Sequence, residues 1–233
     1  MHNRAEVPID RTLRRHASRK ISAAVSDGQS AAPFVPNSTS ITTLSHAAER
    51  CEGCDLYKHA TQTVFGAGSR SARVMFIGEQ PGDQEDQQGQ PFVGPAGAML
   101  DKALDAAGIP RTEVYVTNAV KHFKWEPRGK RRIHKKPRWS EIKACRPWLD
   151  AELRAVKPAV VVCLGSTAAQ SIFGSAFKLM QQRGQVLSST ISEYVVATIH
   201  PSSILRAADS EGRRAAFEML VKDLQVVAGL INK

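Results

Sequence analysis

Four short apolar runs alternate with segments of helical period along this chain, and that alternation limits its architecture more than any other feature. The runs are ARVMFIGE (72–79), EVYVTNAV (113–120), PAVVVCLG (158–165) and EYVVATIH (193–200). Each is bounded by turn residues and reads as a buried strand. GPAGAMLDKALDAAGI (94–109) reads as a helix, with Pro95 in its first turn and Gly108 at its end. ITTLSHAAERCEGC (41–54), SEIKACRPWLDAELRAV (140–156), residues 166–173 and EGRRAAFEMLVKDLQVVAGLI (211–231) read the same way. Pro147 is expected to kink or split the third of these five helices. Strands alternating with helices predict a parallel sheet covered on both faces. Ligands of such sheets bind beyond the carboxyl ends of the strands. Here each end carries a distinctive residue: Glu79, Asn118, Gly165 and His200.

A chain of 233 residues has room for one domain with a substantial core. Residues 1–40 are polar and weakly periodic, and we read them as a disordered tail with a short helix near residues 11–21. The folded domain then spans residues 41–233. No apolar run approaches the roughly 18–20 residues that span a bilayer, and no apolar stretch at the start suggests export. A cytoplasmic, reducing location follows as an expectation, and it argues against a disulfide framework.

The formal net charge is +10, and it is unevenly spread. Residues 121–138 hold nine Lys or Arg against one acid, Glu126. A local patch of that kind suits a phosphate-bearing partner, although a solvated basic loop has the same composition. Within it, GKRRIHKKPRWS (129–140) looks like a loop, and His134 sits among its cations, which make its protonated form costly.

Cys51 and Cys54 form a C-x2-C pair, whereas Cys145 falls in a helix and Cys163 in a strand. A zinc ribbon would call for two close pairs. Four thiolates gathered from a folded scaffold suit an iron–sulfur cluster better, while Cys163 taken alone could be a small buried hydrophobe.

Two further motifs combine with these cysteines: GEQPGDQEDQQGQPFVGPAG (78–97) and HPSSIL (200–205). Together they resemble the uracil-DNA glycosylase superfamily, in its iron–sulfur, family 4-like branch, over residues 44–230. Gln80 stands where the branch usually has Ala, and KRRIHK (130–135) is an insert. Both features resemble the UdgX type, which excises uracil and stays covalently joined to the DNA. The resemblance implies an α/β/α sandwich around a four-stranded parallel sheet, with a [4Fe–4S] cluster on Cys51, Cys54, Cys145 and Cys163.

It also implies roles for individual residues. Phe92 would stack on the flipped base and Asn118 would read its edge, with Gln80, Asp83 and Arg132 also at the substrate. His200 would donate to uracil O2 as the glycosidic bond breaks, and Glu79 would face the cationic sugar. His134 would attack C1′, kept neutral by Lys130, Arg131, Arg132 and Lys135. Lys130, Arg131, Lys135, Ser202 and Ser203 would contact DNA. The implied partner is uracil-containing DNA, single-stranded by preference, bound by a monomer. Two alternatives stand beside this reading. One is a turnover glycosylase that leaves an abasic site; the other is a basic binding module without chemistry.

Overall fold

The computed structural model describes residues 28–231. In chain order its strands are β1 (Ala67–Gly68), β2 (Val74–Gly78), β3 (Val114–Asn118), β4 (Trp125–Arg128), β5 (Arg131–His134), β6 (Val160–Leu164), β7 (Val186–Leu187) and β8 (Tyr194–Thr198). The helices are α1 (Ile41–Ala48), α2 (Asp83–Gln88), α3 (Pro95–Ala107), α4 (Trp139–Val156), α5 (Gly165–Phe173), α6 (Leu179–Gln182), α7 (Pro201–Leu205) and α8 (Ser210–Ile231).

The four apolar runs of the sequence form the parallel centre of the sheet, in the order β3-β2-β6-β8. Two-residue antiparallel strands extend it at the edges, β1 beside β3 and β7 beside β8, so the sheet has six strands rather than four. The period of two along each strand divides the core. Val74, Phe76, Val116 and Val162 pack with Leu104 of α3 and Leu224 of α8. Met75, Ile77, Val161 and Cys163 face the other way, against Leu149 and Leu153 of α4 and Ala168 of α5. The result is the expected three-layer α/β/α arrangement.

Three local expectations change. Helix α4 runs unbroken for 18 residues through Pro147. The carbonyl that proline leaves unpaired belongs to Lys143, an exposed residue that water can reach, and both flanks of the helix are buried. The basic segment is not a loop but a hairpin, with β4 and β5 antiparallel and Gly129 at φ 59 in the turn. Residues 28–40, read as tail, lie along the domain: Ala31 is buried and its N–H donates to Ala144 O at 2.7 Å. The helix expected near residues 11–21 lies outside the described residues.

Helix α1 is capped by the Ser40 hydroxyl, which accepts from Thr43 N. Its buried face and the outer flank of α4 enclose a third apolar cluster containing Leu44, Ala48, Cys51, Cys54, Cys145 and Trp148. No helix among the described residues is long and apolar enough to cross a membrane.

Candidate active site

Parallel pairing brings the strand ends to one edge. Gly78 lies beside Asn118, and Leu164 beside Thr198. The residues that follow line a cavity of about 740 Å³ whose walls include Glu79, Phe92, Asn118, His134, Gly165 and His200. Gly78 is required at its floor, because a Cβ there would stand 2.3 Å from Asn118 Oδ1 and 2.9 Å from the Phe92 ring. Phe92 itself has φ 58, a conformation rarely tolerated outside glycine. Its ring stacks near His200, with centroids 6.3 Å apart and planes 29° from parallel.

The HPSS sequence explains how His200 is held. Pro201 begins α7, and the His200 imidazole serves as the N-cap, its Nδ1 accepting from Ser202 N at 3.1 Å. The Ser202 hydroxyl lies 2.8 Å from the same nitrogen and accepts from Arg206 at 2.8 Å. With Nδ1 occupied as an acceptor, the neutral ring carries its proton on Nε2. Burial, then the charge of Arg206 and the neighbouring His134, push the His200 pKa down to about 4. Ser203 donates to His200 O at 2.7 Å. Both serines expected at DNA thus also anchor the histidine.

His134 Nε2 stands 3.4 Å from Glu79 Oε1, at the end of β5. The other Glu79 oxygen accepts from Thr167, a residue sequence reading missed although it sits two positions past the Gly165 strand end. His134 lies below the ordinary histidine pKa, chiefly through burial, with Arg206 adding to the shift and Glu79 opposing it. Partial burial thus leads, and the cation that adds to it is Arg206, where the sequence pointed to the hairpin's own cations.

Three residues expected at the substrate have partners that lock the hairpin, and one of them, Gln80, also lines the cavity. Gln80 is buried, and its amide nitrogen donates to Lys124 O at 3.1 Å and Lys135 O at 3.0 Å, while its oxygen accepts from Lys124 N at 3.2 Å. Arg132 reaches Asp83 and the fully buried Asp86, both at 2.6 Å, and lies over the rings of Phe123 and Trp125. Asp83 thus tethers the hairpin to α2. Asp86 carried no sequence signal beyond its place one helical turn from Asp83. Lys130 and Arg131 are exposed on the hairpin, and Lys135 pairs with Glu126 at 2.9 Å. Lys136 and Arg206 line the cavity, which sequence reading did not anticipate.

The cysteines divide. Cys51, Cys54 and Cys145 share the cluster between α1 and α4, and burial pushes Cys54 up to about 11 and Cys145 to about 12. Cys163 does not join them: it faces the opposite flank of α4 from within the sheet core. Burial pushes its pKa up to about 12, with Arg146 opposing. It drops out of the expected ligand set as a small core residue. Among the described residues no group of three or more His, Cys, Asp or Glu is close enough to grip a single metal ion. A multi-iron cluster spreads its ligands wider. Two observations suit one here. The Trp148 indole N–H, one turn from Cys145 in the same cluster, is buried without a partner and suits a sulfur acceptor. His122 is a buried imidazole whose chain neighbour, Lys121, donates its N–H to Cys145 Sγ at 3.3 Å. Thr63 links His122 to Ala48 O, the carbonyl that also accepts from Cys51 N.

Strand-end polar groups thus surround a cavity beside a basic hairpin, at the carboxyl edge of a parallel α/β sheet. The family model of the uracil DNA glycosylase superfamily matches residues 65–225. The chain belongs to that superfamily. It is 35% identical over 180 residues to a type-4 uracil-DNA glycosylase of Thermotoga maritima, covering 77% of this chain and 90% of the relative. It is 37% identical over 163 residues to one of Archaeoglobus fulgidus, covering 66% and 78%. A third, from Pyrobaculum aerophilum, is 34% identical over 170 residues, covering 70% and 83%.

Proposed function

We propose that this chain excises uracil from DNA and is then joined to the exposed sugar through His134. The observation that carries the second half is the 3.4 Å approach of His134 Nε2 to Glu79 inside the cavity, on a hairpin locked by Gln80 and Arg132. Uracil enters extrahelically, and a single strand needs no unpairing to deliver it. Phe92 stacks on the base and Asn118 reads its edge. When C1′–N1 breaks, the bonding electrons leave with uracil and charge accumulates on O2, where His200 Nε2–H donates. The Glu79 carboxylate faces the cationic sugar. The Nε2 lone pair of His134 then forms a bond to C1′, and the resulting imidazolium is balanced by the same carboxylate. The leaving uracil anion takes a proton from solvent. Cys51, Cys54, Cys145 and His122 form the donor set for a [4Fe–4S] cluster, which would supply a structural cross-link between α1, α4 and the segment after β3. Lys130 and Arg131 are placed for phosphates. The cavity is complete within one chain, which suits a monomer.

The relatives are named as type-4 uracil-DNA glycosylases, and a second reading is repeated turnover with water as the nucleophile. Mass spectrometry of the protein mixed with a uracil oligonucleotide separates the two. Capture predicts one species whose mass is protein plus DNA minus uracil. Unmodified protein alongside many equivalents of released uracil would establish turnover. No released uracil would exclude both readings.

A further inference from the structure

We propose that Lys121, paired with Glu152, is a positioning residue that sets the orientation of Asn118, and with it the reading of the base; this rests on the uracil reading above. Lys121 and Glu152 are 1% and 0% exposed, and their charges meet at 2.5 Å. The ammonium's other two donors go to Thr117 Oγ1 at 2.6 Å and to the backbone carbonyl of Asn118 at 2.8 Å. All three of its protons are thereby committed. Glu152, on α4, also accepts from Tyr115 at 3.0 Å, Thr117 at 2.9 Å and Gly66 N at 3.0 Å.

A buried ion pair is a poor means of stabilising a turn, because desolvation of both charges offsets their attraction. Apolar side chains of similar volume would hold the turn as firmly. They could not aim an ammonium at the carbonyl of the residue whose side chain faces the base. The same turn returns Ala119 N to Gly78 O at 2.9 Å and Val120 N to Glu79 O at 3.1 Å. Asn118 and Glu79 are thus indexed to one buried charge. Helix α4 grips that turn twice, through Glu152 and through Cys145, which accepts from Lys121 N. A fixed amide discriminates uracil from cytosine only while its orientation is held.

The test uses the full chain with the double substitution Lys121→Met and Glu152→Gln, which removes both charges together. Thermal melting and bound iron should match the unsubstituted chain. The single-turnover rate of uracil release at saturating oligonucleotide should fall about 10–100-fold, as expected for a misplaced recognition group. A crystal structure of the double variant should show the Asn118 peptide turned from its present position. An unchanged rate with Asn118 unmoved overturns the inference. Should the double variant fail to fold, Thr117→Val and Thr117→Ser decide: loss in the first with recovery in the second supports the inference, and equal rates overturn it. If the unsubstituted chain releases no uracil, the functional reading falls by itself, and the position of Asn118 in the variant still decides this one.

Discussion

At the scale of single residues, the two histidines are prepared differently for different work. His200 is fixed as an Nε2–H donor by its N-cap role, so its chemistry follows from backbone geometry. Replacing it with Ala should lower the rate of uracil release by about 10²–10³, the usual cost of losing such a donor, measured by single-turnover assay. His134 is held on the neutral side of the histidine range, chiefly by burial. His134→Ser should abolish the SDS-resistant DNA adduct while uracil release continues, since a small hydroxyl side chain leaves space for water. A persistent adduct would require a different nucleophile. The pH dependence has a definite sign: because the folded pKa of His134 is depressed, the rate of adduct formation should be flat above the ordinary value near 6.5 and fall only below it.

At the scale of elements, the hairpin carries His134 at the cavity wall, and its ties lie outside it. Gln80 clamps both of its strands' ends, and Arg132 bolts it to α2. Arg132→Lys should not restore what Arg132→Ala loses, because a point charge cannot span Asp83 and Asp86 together. Both variants should reduce adduct yield by more than tenfold at a fixed time, with uracil release much less affected, read on denaturing gels. Equal losses in both steps would place Arg132 at the base and not at the hairpin. None of these partnerships has a periodic signature. A glutamine in a Gly/Pro turn and an arginine among arginines give no sign in the sequence of the partners that hold them.

At the scale of the molecule, the charge excess and the acid response become measurable. Lys130 and Arg131 are exposed and free of ion pairs among the described residues. Substituting both with Ala should lessen the salt dependence of binding to uracil-free single-stranded DNA by about 1.4 in log–log slope, roughly 0.7 for each phosphate released. Stability should follow His200. Its folded pKa of about 4 lies below the unfolded value, so the unfolded chain binds the extra proton first. The melting temperature should therefore hold above about pH 6.5 and fall between there and pH 4.

The sequence by itself determined the parallel sheet, the identity of its four central strands and the residues at their ends. Parallel strands with helical returns must release all their carboxyl ends at one edge, so Glu79, Asn118, Gly165 and His200 converge whatever the details of packing. Side-chain partnership was decided only in three dimensions. The facing of Cys163 depends on the phase of β6 against α4, and the work of Gln80, Asp83, Arg132 and Lys121 depends on atoms dozens of residues away. Periodicity records which face of an element is buried; it carries no record of what each polar group on that face will meet.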